Sequence, residues 1–326
     1  MNFKSSTPLR FLGGLVLAAL ILGAVVLRVT SCAPIPKPPA PISAPHAAPG
    51  PKAVTPSQQP APPPLPASIP YPARPACDAG PADAARANAA SLAALAWTPF
   101  GRAEIGWATY APLIGREIRA ACAPDTPAFA AALAAWEGGQ GLPADGVMTP
   151  AVFARLKSVM QMRRPFVRLS AQGVCPNPPP ASALAWATAA EGYGGKLVQL
   201  RPAALAAYRQ MAAAARREDP AIAADPRNLT LFSGFRAPAA DAARCAHEGN
   251  CNNVQRATCS AHRTGLTMDV YVGQAPGFPP DSSADANRLF MSRTAAYRWL
   301  VANADRFGFV PYPFEPWHWE WTGEAP

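Results

Sequence analysis

Histidine and charged residues are scarce in this sequence: its 326 residues include four histidines, and Asp, Glu, Lys and Arg make up only 15%. Basic residues outnumber acidic ones by 29 to 20, which gives a net charge of +9. These basic residues are scattered, and no basic run interleaves with aromatic residues. The sequence therefore lacks the pattern of a nucleic-acid-binding surface, and we expect no nucleic-acid partner.

The amino terminus has the pattern of an export segment. Lys4 and Arg10 precede an apolar run over residues 11–27, which is long enough for a signal sequence and just long enough to span a bilayer. Residues 29–32 (V-T-S-C) have the shape of a bacterial lipobox ending at Cys32, so a lipidated chain and an uncleaved anchor both stay open. Either predicts a chain tethered to the cytoplasmic or outer membrane through this segment and facing the periplasm and cell wall. Anionic wall polymers and lipid head groups there suit a basic surface.

Residues 33–76 are dominated by proline and alanine, with scarcely any charge and no periodic apolar pattern. This composition predicts a linker. Proline-rich chains favour extended polyproline II at about 3.1 Å per residue, so the linker can hold a domain on the order of 100 Å from the membrane. That reach suits a substrate in the cell wall.

Six cysteines follow Cys32, and an even number in an exported chain predicts disulfides. The sequence does not choose among the pairings, although Cys245 and Cys251 bracket a short polar loop that a disulfide can close. The alternative is a structural zinc bound by these two residues with Cys259 and His262. Its spacing matches no common zinc finger, and an oxidising compartment opposes it. The six are Cys77, Cys122, Cys175, Cys245, Cys251 and Cys259.

Two separate segments carry the residue types of a catalytic metal site. The first reads S-A-H-R-T-G-L-T-M-D from Ser260 to Asp269, and the second reads E-P-W-H from Glu315 to His318. Two histidines and an aspartate can bind a tetrahedral Zn²⁺ and leave a fourth position for water. We therefore expect one zinc per chain, bound by His262, Asp269 and His318. Glu315, three residues before the last ligand, can take the proton from the attacking water.

These motifs, with Ser233-Gly234-Phe235-Arg236 upstream, resemble the VanY-type D-alanyl-D-alanine carboxypeptidases. These are zinc enzymes of the superfamily that includes D-Ala-D-Ala dipeptidases and the hedgehog amino-terminal domain. The resemblance implies that the two histidines and the aspartate bind zinc, that Glu315 is the catalytic base, and that Arg236 stabilises substrate or transition-state charge. Ser260 either orients a ligand or the substrate, or is a turn hydroxyl. Asp241 stands where the family often has glutamine, at the expected substrate-binding edge.

Local patterns place the first motif on a turn and a strand. Residues 266–272 alternate apolar and polar side chains, which predicts a half-buried strand with Asp269 facing away from the apolar side. Gly265 allows the chain to turn between that strand and His262. We also expect a helix over residues 202–217.

From the second motif onward, tryptophan occupies every second position of residues 317–321, and His318 and Glu320 lie between these tryptophans. This period of two predicts a strand with the metal ligand on one face and a tryptophan wall on the other. Core packing is the preferred interpretation of that wall over stacking against sugars. A strand over residues 228–233 and a helix over residues 284–307 complete the expected elements. The tryptophans are Trp317, Trp319 and Trp321.

The alanine-rich residues 77–175 predict helices and carry a second resemblance. A helix over residues 129–136, the turn G-L-P-A-D-G-V at 141–147 and a Thr149-Pro150 helix start resemble the three-helix peptidoglycan-binding repeat. Proline, aspartate and glycine favour such a turn, and threonine followed by proline favours a helix start. A plain helical spacer without a ligand is the alternative.

The predicted fold class is α+β: a small antiparallel sheet with flanking helices carries the zinc site. A small all-α domain and an N-terminal apolar helix precede it. The expected order is a signal anchor or signal peptide (1–32), a linker (33–76), a helical peptidoglycan-binding-like domain (77–175) and a zinc D,D-peptidase domain (176–326).

The expected function is that of a zinc peptidase of the cell envelope that removes terminal D-Ala from peptidoglycan stem peptides. A peptidoglycan endopeptidase that cuts cross-links or L,D-bonds shares the metal chemistry and stays open. A third alternative is a non-catalytic wall-binding protein with a vestigial metal site.

Overall fold

The computed structural model describes residues 76–249, 251, 254 and 257–326. The predicted signal or anchor segment, Cys32 and the predicted linker up to residue 75 lie outside these ranges, so they stay predictions. Within the described ranges, no helix is both long enough and apolar enough to cross a bilayer.

The described residues form ten α-helices and eight short strands. The helices are α1 (Ala82–Leu92), α2 (Ala111–Glu117), α3 (Pro127–Gly139), α4 (Pro150–Met162), α5 (Pro165–Ser170), α6 (Pro202–Glu218), α7 (Pro220–Ala223), α8 (Pro238–Glu248), α9 (Asp285–Met291) and α10 (Ala295–Asn303). The strands are β1 (Ala96–Trp97), β2 (Glu104–Ile105), β3 (Ala185–Trp186), β4 (Gln199–Leu200), β5 (Leu231–Ser233), β6 (Thr267–Val270), β7 (Phe309–Pro311) and β8 (His318–Trp321).

A four-stranded antiparallel sheet in the order β5-β6-β8-β7 is the largest sheet of the described chain. Two antiparallel pairs, β1-β2 and β3-β4, are separate from it. Helices precede this sheet in the chain and also connect its strands. The mixed α+β class with a small antiparallel sheet is therefore confirmed.

The helical hairpin α3–α4 forms where the sequence predicts it. Thr149 caps the start of α4, and its hydroxyl accepts a hydrogen bond from the backbone N–H of Val152 at 3.2 Å. The connecting turn is held by two buried side chains. Glu137 accepts from the N–H of Gly146 at 2.8 Å, and Asn88 donates to the carbonyl of the same glycine at 2.8 Å. Both backbone polar groups of Gly146 are thus satisfied within the fold.

The expectation of one helix over residues 284–307 was wrong. The chain forms α9 and α10, followed by a 3₁₀ turn. Thr294 separates the two helices because its backbone is extended. Its hydroxyl accepts from the N–H of Tyr297 at 3.2 Å and donates to the carbonyl of Val272 at 2.7 Å. The second bond ties the start of α10 to the segment that follows β6.

Two strand predictions also need correction. The strand predicted over residues 228–233 begins later, at Leu231, because Leu229 has a φ of 63°, a left-handed conformation that does not continue a strand. Strand β6 is buried on both faces, not one, with Thr267 at 1% and Asp269 at 7% exposure. The polar face of β6 is covered by the other residues of the candidate metal centre described below.

Core packing of the three tryptophans in and next to β8 is confirmed for two of them. Trp317 and Trp319 are buried at 3% and 1% exposure, and Trp321 is partly buried. One hydrophobic cluster joins the helices before residue 175 to the sheet. Phe100, for example, lies 5.1 Å from Phe314 between ring centroids. The boundary predicted near residue 175 stays a prediction.

Arg288 lies at the centre of a buried polar network between these two parts of the core. Its side chain is fully buried and donates to the carbonyl of Phe314 at 2.7 Å and to the hydroxyl of Tyr110 at 2.6 Å. Glu104 lies 3.1 Å away and also accepts from Tyr110. The network neutralises one buried cation with one buried anion and fixes the backbone next to Glu315.

Three disulfides connect the six cysteines of the described chain. The pairs are Cys77–Cys122, Cys175–Cys259 and Cys245–Cys251. The last closes the short polar loop identified in the sequence. The Cys175–Cys259 bond joins chain positions 84 residues apart, so it ties the end of the helical segment to the residue that precedes Ser260.

Replacing Arg288 with glutamine should lower the free energy of unfolding by about 3–5 kcal/mol, because the buried Glu104 carboxylate would lose its buried cation and keep only the partly exposed Arg102 at 3.9 Å. Urea unfolding followed by circular dichroism measures this change. Arg298→Gln, at an exposed position of α10, is the control and should change the value by at most about 0.5 kcal/mol. Equal effects of the two substitutions would contradict the importance of the network.

Candidate metal centre

The three predicted metal ligands come from two strands and the turn before one of them. His262 lies in a 3₁₀ turn over Ala261–Thr264 that ends at Gly265, and Asp269 follows on β6. Gly265 has a φ of 71°, and a Cβ there would lie 2.9 Å from the side chain of Leu184. The position therefore favours glycine on both conformational and steric grounds.

Strand pairing supplies the third ligand. The register of β6 and β8 sets Asp269 directly opposite His318, where antiparallel partners have side chains on the same face of the sheet. Nδ1 of His318 lies 3.0 Å from one carboxylate oxygen of Asp269, and Nε2 of His262 lies 3.2 Å from the other. One atom of each residue falls within 4.8 Å of the other two.

The donor set fits zinc. Bonds of about 2.0–2.1 Å to one tetrahedral ion hold ligand atoms about 3.3 Å apart, close to the two separations around Asp269. His262 is also oriented for this role, since its Nδ1 lies 2.7 Å from the carbonyl oxygen of Gly234. A carbonyl only accepts, so Nδ1 carries the proton and Nε2 is left with a lone pair.

Close packing leaves no room for a side chain at Gly234. A Cβ at this position would lie 2.4 Å from the carbonyl oxygen of Gln199, so a larger residue would push β4 away. The glycine therefore lets the strand segment approach both β4 and the ring of His262. It belongs to the Ser233–Arg236 motif of the sequence.

Charge is distributed unequally over the three ligands. Burial lowers the pKa of His262, despite the nearby Asp269 carboxylate. Burial also opposes the charged form of His318, but Asp269 and Glu320 outweigh it and raise the pKa of His318 to about 9. Although burial alone would raise the pKa of Asp269, the two histidines hold it far below its usual range. The cluster thus contains a permanent carboxylate that attracts positive charge.

Glu315 lies beside the ligands at the mouth of the cluster. Its carboxylate is 3.7 Å from Nδ1 of His318 and its side chain is 12% exposed. The backbone N–H of Glu315 donates to the carbonyl of Tyr312 at 3.1 Å, and that of His318 donates to the carbonyl of Glu315 at 3.0 Å. This tight turn holds the carboxylate next to the position where a metal would bind.

The remaining predicted residues form a second group in the same cleft. Arg236 lies 3.0 Å from one carboxylate oxygen of Asp241, measured at Nε. Ser260 donates to the other oxygen at 2.6 Å. Asp241 is 3% exposed and the side chain of Arg236 is 16% exposed. Asp241 therefore orients Arg236, while Ser260 helps to hold Asp241.

All seven predicted site residues line, or lie directly behind, one cleft of about 760 Å³. Arg236 and Glu315 both line it, together with the three predicted ligands. The structure thus brings together every residue singled out in the sequence. An ion held by the three ligands would be reached through this cleft.

Two features of the cleft were not foreseen from the sequence. Residues of α5, including Phe166, Val167 and Ser170, form part of its wall although they precede the predicted peptidase domain. Glu320 packs behind His318, where Arg164 lowers the pKa of its carboxyl to about 2 against the opposite effect of burial. The alternation along β8 places Glu320 on the face of His318, but no sequence signal points to Arg164.

The comparisons with known proteins agree with the motifs. Residues 197–324 match the family model VanY, described as D-alanyl-D-alanine carboxypeptidase. No curated protein matches the chain. A solved structure of the LdcB LD-carboxypeptidase, reported for the molecular basis of peptidoglycan recognition, is 25% identical, with a TM-score of 0.29. The match covers 38% of this chain and 60% of that one. The family match confirms the resemblance stated from the sequence motifs over residues 197–324.

Proposed function

We propose that this protein is a zinc-dependent peptidase of the cell envelope that removes the terminal D-Ala from peptidoglycan stem peptides. The observation that carries the proposal is the buried cluster of His262, Asp269 and His318 with Glu315 3.7 Å from His318. The family match of the same region supports a peptidoglycan peptidase. The predicted export segment would place the domain at its substrate.

His262, Asp269 and His318 would hold Zn²⁺, which supplies Lewis acidity to polarise a carbonyl and to make water a stronger acid. Glu315 is placed to take a proton from the attacking water and to deliver it to the leaving amine. Its position at the mouth of the cluster gives it access to both. The buried ligands exclude bulk water from one side, which strengthens the electrostatic interactions at the reacting carbonyl.

Arg236 would bind either the carboxylate of the substrate terminus or the oxyanion that develops at the scissile carbonyl. Asp241 pairs with the guanidinium at a distance of 3.0 Å from Nε, and Arg236 lines the cleft. Ser260 supports this arrangement through Asp241. The Asp241 carboxylate offsets the charge of Arg236 before substrate binds.

The proposal is tested by incubating the purified protein with a stem pentapeptide and with cross-linked muropeptides, with zinc and with a chelator, and following the products by mass. Chelator-sensitive loss of one alanine supports the carboxypeptidase. Cleavage of cross-links without terminal trimming favours the endopeptidase instead. Bound zinc without turnover of either substrate would favour a wall-binding role.

Removing the metal should abolish turnover and restoring zinc should recover it, because Lewis acidity is lost with the ion. The measurement is the initial rate of alanine release before chelation, after dialysis against chelator and after stoichiometric zinc. A dialysed protein that keeps its full rate would contradict the metal-dependent mechanism.

Glu315→Gln should lower kcat by about 10²- to 10⁴-fold, because an amide cannot accept the proton, while zinc stays bound. Rates and metal content are measured on the same preparation. Glu324→Gln serves as the control, since Glu324 lies near the carboxyl terminus and pairs with Arg201 at 2.6 Å. An active Glu315→Gln protein would exclude this carboxylate as the base.

Arg236→Lys should distinguish the two roles of the arginine. Lysine keeps the charge but loses the planar fork that binds a carboxylate through two nitrogens. The test compares two peptide substrates, one with a free terminal carboxylate and one with an amidated terminus. If Arg236 binds the substrate terminus, kcat/KM should fall by about tenfold or more for the peptide with the free carboxylate and far less for the amidated peptide. Equal losses for both peptides would assign Arg236 to the oxyanion.

A further inference from the structure

We propose that Arg164 and Glu320 are positioning residues of the metal centre: Arg164, from the helical segment upstream of the VanY-family region, holds Glu320 against the ligand His318. The inference rests on the proposed metal site. It extends that site beyond residues 197–324, because Arg164 lies outside the matched region.

The first argument is the position of Glu320 relative to the His318 ring. Nδ1 of His318 faces Asp269 and the candidate metal position. When Nδ1 binds a metal, Nε2 of the same ring must therefore carry the proton. This Nε2 is buried and makes no hydrogen bond with any described residue. One carboxylate oxygen of Glu320 lies 3.7 Å from it. A small shift of the ring would therefore give the N–H an anionic acceptor.

The second argument is that Glu320 is itself held rigidly. Nε of Arg164 donates to one oxygen of Glu320 at 2.7 Å, and its Nη2 lies 2.6 Å from the same oxygen. The backbone N–H of Phe166 donates to the other oxygen at 3.2 Å. The side chains of Arg164 and Glu320 are only 7% and 2% exposed. Charge-assisted bonds in such a buried place fix both groups.

The third argument is a second route from Arg164 to the same ligand. The Arg164 guanidinium lies 4.1 Å from the centre of the Tyr312 ring. Tyr312 contacts the His318 ring edge to face, with 5.6 Å between ring centroids. The N–H of Tyr312 donates to the carbonyl of His318 at 3.0 Å. Arg164 therefore supports both the ring and the backbone of the ligand.

The neighbouring arginine offers a matched control. Arg163 is adjacent in sequence but lies on the surface, with its side chain 54% exposed, and pairs with Glu117 at 2.6 Å. Replacing it removes the same charge from the same helical corner without touching the metal centre. An effect confined to Arg164 therefore cannot come from net charge alone.

The experiment measures the zinc dissociation constant of the full chain by competition with a chromophoric chelator. Arg164→Gln should weaken zinc binding by about 10- to 100-fold, the range typical of lost outer-shell partners. Arg163→Gln should stay within about twofold of the unmodified protein, outside that range. Arg164→Lys, which keeps the cation for Glu320, should recover part of the affinity.

Because Arg164→Gln leaves a buried carboxylate without its cation, the double variant Arg164→Gln/Glu320→Gln is measured as well. This double variant removes both charges, and its zinc affinity should still be about tenfold or more below that of the unmodified protein. Its metal-free unfolding midpoint separates lost stability from lost metal binding. Unmodified protein that binds no zinc would overturn the metal site itself. Normal zinc affinity in either folded variant would overturn only the positioning role.

Discussion

Antiparallel pairing of β6 with β8 is the constraint on which the candidate site depends. The register sets Asp269 opposite His318, so two residues 49 positions apart meet at one point of the sheet. A slip of β8 by one residue would place a tryptophan opposite Asp269 and would turn the side chain of His318 to the other face of the sheet. The buried Trp317 and Trp319 oppose such a slip, since it would move them from the apolar core to the face that holds the buried polar groups His318 and Glu320. Hydrophobic burial and the grouping of the three candidate metal ligands thus favour the same register.

Around this pair, each functional side chain has a partner that fixes its direction. The carbonyl of Gly234 orients His262, Asp241 orients Arg236, and the turn from Tyr312 to His318 holds Glu315. Such support matters because catalytic groups act only within a narrow range of distance and angle. The side chains of such a cleft are already held in position before substrate binds.

The helical segment before residue 175 takes part in this preparation. Its aromatic residues share the core of the sheet, Arg288 bonds Tyr110 on one side and the backbone of Phe314 on the other, and α5 forms part of the cleft wall. The disulfide between Cys175 and Cys259 joins the same two parts covalently. We therefore interpret this segment as structural support for the cleft, whatever it binds by itself.

The sequence by itself determined which residues to test: two histidines, an aspartate and a glutamate at characteristic spacing predict a metal peptidase site. The alternation along β6 and β8 predicts the strands that carry it. These signals are local, since they depend on residue type and period. Only the tertiary structure decided the cysteine pairing, the break at Thr294, the burial of both faces of β6 and the approach of Arg164 to Glu320. The Arg164 contact spans 156 residues and arises from packing between segments, and no local pattern encodes which distant groups meet.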